Sequence, residues 1–339
     1  MLRALEQSLA AIKQEAAVPA ESSADFQAEQ FWPALGAAAD RLAFEANKLS
    51  LAWVQPPPPP TADLLAMGAG LEAAAVALLA HLHTFPRALG SLVSSGLAAV
   101  ATAALVAARE LVQGMADTVG AKFAANSHPV LQAFARVTER CEAVKTVHRT
   151  NRAAALAALG EQLGLLKDAV GELEEARADG FMEAFGEEEG VEEQWGEEDK
   201  LIINPCMGLM KTSVVTVKKV MGSVRAAGRE EGEGVGELDG VVEGARRLSP
   251  LVDDLALSLY PPLACAEAKG AADRLVMELQ ATLAALPALH FMAGPEAAWL
   301  DFVARAVVHN MAELQRVLVT RGLGQIRLGG GEGEGDGGS

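Results

Sequence analysis

The stretch NRAAALAALGEQLGLLKDAVGELEEA, residues 151–176, decides the fold class. Apolar residues recur along it at alternating spacings of three and four, which places them on one side of a helix as a heptad seam. About three heptads can pack either inside a bundle of the same chain or against a partner chain, and we favour the intramolecular interpretation. The residues of this leucine seam are Leu156, Leu159, Leu163, Leu166, Val170 and Leu173.

The composition of the whole chain agrees with a helical protein. Half of the 339 residues are hydrophobic, yet only 4% are aromatic, and Ala and Leu supply the apolar mass instead. Ala and Leu are strong helix formers, whereas strands favour β-branched and aromatic residues. We therefore predict an all-α protein built as an antiparallel multi-helix bundle.

Charge and cysteine content restrict the classes of function. A net charge of -17 repels phosphate backbones, which argues against direct nucleic-acid binding. The longest basic clusters are only pairs, Lys218-Lys219 and Arg246-Arg247. Three widely spaced cysteines predict reduced thiols in a cytosolic or nuclear compartment rather than a disulfide framework. These are Cys141, Cys206 and Cys265.

One segment is apolar enough to raise the question of a membrane. Residues 88–108, ALGSLVSSGLAAVATAALVAA, carry no charge and are long enough to span a bilayer. However, small residues dilute the segment, and no Trp or Tyr anchors its ends. A helix that is apolar all round also suits the centre of a large bundle. We favour the bundle and predict no membrane association.

Proline-rich, acidic and glycine-rich stretches predict how the chain is divided. Five prolines, Pro56–Pro60, end a helix because proline cannot continue one. The stretch EAFGEEEGVEEQWGEED, residues 183–199, repels itself and has few apolar residues, which predicts a linker. The predicted parts are an N-terminal helical bundle over 1–182, an acidic linker over 183–200, a C-terminal helical domain over 201–322 and a disordered Gly/Glu tail over 323–339.

Motifs for catalysis or metal binding lack the context that they require. GAGLEA at Gly68 does not follow a strand, and GLMKTS at Gly208 lacks the glycine before lysine that a phosphate-binding loop requires. GEGVGE at Gly232 lies in an acidic connector that would repel phosphate. The six histidines include no pair spaced four apart. We therefore assign no catalytic, cofactor-binding or metal-binding residue and predict that the chain is not an enzyme. The histidines are His81, His83, His128, His148, His290 and His309.

The stretch SPLVDDLALSLYPPL, residues 249–263, places two carboxylates within an apolar run. Ser249 is a good helix N-cap and Pro250 a good first residue, so Asp253 and Asp254 are expected near the first turn and facing outward. Adjacent helical residues diverge by about 100°, so the pair cannot form an acid/base dyad on one face.

A last helix is predicted over residues 295–321, with one buried stripe. Its expected members are Trp299, Phe302, Val303, Ala306, Leu314, Val317 and Leu318.

Four stretches, in the same order along the chain, resemble the cyclin-D1-binding protein 1 family, also called the Grap2 and cyclin-D-interacting protein family. They cover roughly residues 31–318. The stretches are FWPALGAAADRLAFEANKLS (31–50), the seam segment (151–176), QWGEEDKLIINPC (194–206), and SPLVDDLALSLYPPL with the following AADRLV (249–263 and 271–276).

The resemblance implies an N-terminal helical bundle and a smaller C-terminal helical part joined by an acidic segment. It also implies a non-enzymatic regulator that binds D-type cyclins and helix-loop-helix proteins, restrains cell-cycle progression and is found in cytoplasm and nucleus. The seam corresponds to the zipper-like portion of that family. The alternative is a structural or adhesion-type helical-bundle scaffold.

Six residues are candidates for partner binding. Leu159, Leu166 and Leu173 come from the seam, with plain core packing as the alternative for each. The others are Asp253, Asp254 and Tyr260.

Overall fold

The computed structural model describes residues 26–55, 59–117, 127–179, 195–227, 235–292 and 298–329, with Arg3, Leu5–Gln7 and Leu9–Ala10. Regular structure in these residues is entirely helical, which confirms the predicted all-α bundle. Short 3-10 turns lie at Arg87–Leu89, Leu286–Ala288 and His290–Met292. The long helices are α1 Ala28–Val54, α2 Thr61–His83, α3 Ser91–Asp117, α4 Ser127–Lys145, α5 Asn151–Asp179, α6 Glu197–Ala227, α7 Val235–Ser258, α8 Cys265–Ala285 and α9 Leu300–Gly329.

Contacts within the chain group it into two compact units, Met1–Ala154 and Ala155–Ser339. Most of α5 therefore belongs to the second unit. The acidic linker stays a prediction, because residues 180–194 lie outside the described residues. Helix α9 extends to Gly329, so residues 323–329 of the predicted tail are helical, and residues 330–339 lie outside the described residues.

In the first unit, α1 packs against α2 and α4, and α3 packs against α4. Helix α1 ends at Val54, immediately before the prolines that were expected to end it. By length and hydropathy alone, α2 and α3 could each cross a membrane. In the structure, Ala101, Ala104 and Ala108 of α3 are fully buried, as expected for a central bundle helix.

The first turn of α3 is capped from a distant helix. The side-chain Oδ1 of Asn151 accepts hydrogen bonds from the backbone N–H groups of Leu92 (3.1 Å) and Val93 (3.3 Å). Gly90 precedes this turn with a φ of +127°, a conformation that favours glycine. Because Gly90 has no Cβ, the Asn151 side chain can approach it closely. Asn151 can therefore accept hydrogen bonds from two amides that the start of a helix leaves without intrahelical partners.

In the second unit, α6 packs against α9, α7 packs against α8, and α6 also contacts α7 and α8. The seam faces inward, with fully buried Leu159, Leu166 and Leu173. Two polar contacts join α5 to its neighbours. The hydroxyl of Ser249 on α7 donates a hydrogen bond to Gln162, and Lys211 on α6 forms an ion pair with Glu174. The seam is therefore packed inside the chain's own second unit, as the intramolecular interpretation predicts.

The prediction that Ser249 caps a helix start was wrong. Ser249 lies inside α7, where its hydroxyl oxygen is 2.8 Å from Gln162 Oε1 and 3.4 Å from the carbonyl oxygen of Ala245. Pro250 is likewise inside the helix, although an interior proline costs about 3 kcal/mol. Apolar residues both before and after Ser249–Pro250 are buried, and the free energy of that burial outweighs the tendency of this pair to interrupt a helix. Those with no exposed surface are Leu238, Val242, Leu248, Val252 and Leu255.

The predicted stripe on the last helix was partly wrong. Phe302 is 66% exposed, whereas Val303, Val307 and Leu314 are buried. Successive helical residues point about 100° apart, so burying Val303 turns its neighbour Phe302 toward solvent. The buried face of α9 is thus offset from the predicted one, and the large aromatic side chain lies outside it.

Candidate partner-binding surface

The last two turns of α7 carry the exposed candidate residues. Asp253 and Asp254 are exposed, and Tyr260 is half-buried just after the helix end. Leu257, between them, is 70% exposed, an unusual position for a large apolar side chain. We call Glu172, Asp253, Asp254, Leu257 and Tyr260 the acidic α7 surface.

Residues far apart in sequence build the edge of this surface. The indole Nε1 of Trp195 donates a hydrogen bond of 2.6 Å to the carbonyl oxygen of Leu259, and its ring lies 5.9 Å from that of Tyr260. The bond satisfies one of the carbonyl groups that the end of α7 leaves without an intrahelical partner. It also holds the chain immediately before α6 against the end of α7.

Charge on the acidic α7 surface is only partly compensated. A guanidinium nitrogen of Arg274 lies 3.5 Å from Asp254 Oδ2. Among the described residues no cation lies within ion-pair distance of Asp253. Although the Asp253 side chain is exposed, the surrounding protein partly excludes water from its carboxyl group, and this desolvation, followed by the negative charges of Glu172 and Asp254, raises the pKa of Asp253. Burial and Glu172 likewise raise the pKa of Tyr260. The surroundings of Asp253 in the folded chain thus disfavour the ionised form of its carboxyl group.

Replacing Asp253 with asparagine is expected to raise the free energy of unfolding by roughly 0.3 kcal/mol near neutral pH, because it removes this repulsion from an exposed, solvent-screened site. Urea unfolding of the wild type and the variant would measure the difference. The control is Asp254→Asn, which removes the Arg274 ion pair and is expected to leave stability unchanged or slightly lower.

The pH dependence of this difference has a definite sign. A raised pKa means that folded Asp253 binds its proton more tightly than the unfolded chain does, so its stabilising contribution is present below its usual pKa near 3.8 and is lost as pH rises through the folded pKa. The stability gap between Asp253→Asn and the wild type should therefore narrow on acidification. A gap that stays constant, or a variant less stable at neutral pH, would contradict this electrostatic account.

The six candidate residues fall into two groups in the structure. Asp253, Asp254 and Tyr260 come together on the acidic α7 surface, whereas the three seam leucines lie in the core without exposed surface. Two exposed leucines, Leu165 and Leu257, were missed by the sequence analysis. The spacing of apolar residues could have predicted their exposure, because each lies outside the three-four pattern of buried residues in its helix.

Two buried cysteines and the metal-binding residue types of the described chain bear on whether it has thiol or metal chemistry. Burial raises the pKa of both Cys141 and Cys206 to about 12, with nearby Asp40 and Glu142 adding to the effect at Cys141. Both are therefore neutral thiols at physiological pH. Among the described residues, no group of three or more His, Cys, Asp or Glu side chains is arranged to hold a metal ion.

Two family models of known proteins match the chain from α1 to α8. The family model described as Grap2 and cyclin-D-interacting, N-terminal, matches residues 34–179, and its C-terminal counterpart matches residues 171–284. The cyclin-D1-binding protein 1 homolog of Xenopus laevis is 30% identical over 301 residues, or 86% of this chain and 90% of that protein. The chain belongs to the Grap2 and cyclin-D-interacting family.

Other members of the Grap2 and cyclin-D-interacting family align over a similar length. The cyclin-D1-binding protein 1 homolog of Danio rerio is 29% identical over 310 residues, 88% of this chain and 89% of that protein. Human cyclin-D1-binding protein 1 is 26% identical over 323 residues, 88% of this chain and 87% of that protein. The acidic α7 surface lies inside the C-terminal family match.

Proposed function

We propose that this family member is a non-enzymatic regulator that binds D-type cyclins and helix-loop-helix proteins and restrains cell-cycle progression. The observation that supports it most is the 30% identity, over 86% of the chain, to a relative named for cyclin D1 binding. We further propose that it acts in cytoplasm and nucleus, associates with neither membranes nor nucleic acid, and needs no cofactor.

The acidic α7 surface is the proposed contact with these partners. Protein contacts commonly combine an exposed apolar anchor with charged groups that select a complementary partner. Leu257 supplies such an anchor, and Asp253 supplies a carboxylate that lies beside the negative charges of Glu172 and Asp254. A partner that presents a basic side chain beside an apolar one would relieve the repulsion at Asp253 while it covers Leu257.

The proposal is tested by titrating the purified full chain with a purified D-type cyclin and, separately, with a helix-loop-helix protein in a calorimeter. We expect micromolar or tighter binding by the wild type. Reversing the charge with Asp253→Lys is expected to weaken binding about tenfold or more, since an attraction becomes a repulsion. The matched control is Glu161→Lys, which makes the same charge change at another exposed position on α5.

The control separates a local contact from general electrostatics. If Glu161→Lys weakens binding as much as Asp253→Lys, net charge rather than the acidic α7 surface accounts for the effect. If neither partner class produces heat of binding at about 100 µM, a range in which even weak complexes form, the proposed function is wrong. The helical-bundle scaffold would then be the better interpretation.

A further inference from the structure

A cavity of about 240 Å³ opens among four helices of the second unit. Small residues on α7 and α8 leave the space, since Gly240, Gly244 and Ala245 of α7 and Ala281 and Ala285 of α8 all line it. Its floor is apolar and comes from α5 and α6. The floor residues are Leu159, Val217 and Val220. We call this space the Thr282 cavity.

One polar atom of the cavity wall has no hydrogen-bond partner. The hydroxyl oxygen of Thr282 is buried and makes no hydrogen bond with the described part of the chain. Buried hydroxyl groups in folded proteins are nearly always paired. A Cβ atom at Gly244 would lie 3.6 Å from this oxygen, so the hydroxyl is beside the space that the glycine leaves.

The other polar groups of the wall are already engaged. The hydroxyl of Thr216 donates to the carbonyl oxygen of Thr212 at 2.8 Å. Glu237 Oε2 lies 2.8 Å from both the backbone nitrogen and Nδ1 of His290, and Arg247 Nε lies 2.8 Å from Glu278 Oε1. The one cationic side chain among the described residues of the wall, Arg247, is thus already paired with a carboxylate, and an ionic ligand would lose its hydration on entering this largely apolar cavity.

We propose that the Thr282 cavity binds a neutral, largely apolar small molecule that carries one hydrogen-bonding group directed at Thr282 Oγ1. An apolar cavity of about 150 Å³ accommodates benzene, so this larger space suits a bicyclic compound of about ten to twelve non-hydrogen atoms. This inference is independent of cyclin binding, because the cavity and the acidic α7 surface share no residue.

Three probes of one size test the ligand class. The full chain is titrated with 2-naphthol, with naphthalene, which lacks the hydroxyl, and with 2-naphthoate, which adds a charge. Binding is followed by ligand fluorescence. We expect 2-naphthol to bind with a Kd below about 100 µM, and the other two to bind at least about tenfold more weakly. Tightest binding by 2-naphthoate would overturn the neutral class, and absence of 2-naphthol binding up to about 1 mM would overturn the site.

Substitutions locate the site. Thr282→Val keeps the shape and removes the hydroxyl, so it should weaken 2-naphthol about tenfold and leave naphthalene unchanged. Gly240→Leu should abolish binding of both, because no atom beyond the adjacent helix backbone lies within 4 Å of a Cβ there and the side chain can occupy the cavity. The control is Gly222→Leu, an equally open position on α6 outside the cavity. Equal affinity in the two leucine variants, with both folded by thermal unfolding, would overturn the proposal.

Discussion

Replacing Gly90 with alanine is expected to lower the free energy of unfolding of the first unit by about 3 kcal/mol. Two causes add. The φ of +127° is strained for any residue with a Cβ, and a Cβ at this position would overlap the side chain of Asn151. If Asn151 moves away, the amides of Leu92 and Val93 lose the oxygen that caps them.

Urea unfolding followed by circular dichroism would measure this loss. The control is Gly114→Ala on α3, where no atom beyond the adjacent helix backbone lies within 4 Å of a Cβ and alanine should raise helix stability by up to about 1 kcal/mol. The two alanines are thus expected to act in opposite directions. A Gly90→Ala variant as stable as the wild type would show that the turn before α3 is not held as described.

Replacing Leu166 with alanine is expected to cost about 3 kcal/mol, because its side chain is fully buried and its removal leaves a cavity in the second unit. The neighbouring Leu165 is 47% exposed, so Leu165→Ala should change the free energy of unfolding by no more than about 0.5 kcal/mol. The pair differs by one position in the same helix. Their unfolding midpoints in urea therefore measure the same leucine-to-alanine change at a core position and at a surface position.

The comparison also separates the two interpretations of the leucine seam. If the seam were a contact for a partner chain, the isolated protein would tolerate Leu166→Ala, and the variant would lose only partner affinity. A Leu166→Ala variant within about 0.5 kcal/mol of the wild type would therefore contradict the core assignment. A large loss of stability in Leu166→Ala alone is the result expected from the structure.

The repeating patterns were sufficient to predict most of the fold. The three-four spacing identified α5, and burial of Leu159 and Leu173 follows from the side of the helix on which that spacing places them. The prolines after Val54 marked the end of α1 because their effect is local. Local signals failed at Ser249 and Pro250, where packing on both sides of α7 keeps the helix continuous.

The candidate surface required the structure, because it joins residues that are distant along the chain. Glu172, Trp195 and Arg274 come from three different quoted stretches, and each acts on the end of α7. No spacing rule brings such residues together. The sequence could identify Asp253 and Asp254 as outward-facing, but it could not show that, among the described residues, Asp254 has a cationic neighbour and Asp253 has none.

The most direct test of the central claim is hydrogen–deuterium exchange of the full chain, alone and with saturating purified D-type cyclin. We expect slower exchange at residues 253–263, around Glu172 and around Trp195 when cyclin is bound, with the amides of residues 156–169 unchanged. Slower exchange confined to residues 156–169 would show that the seam is the contact. No change anywhere at saturation would contradict cyclin binding by this chain.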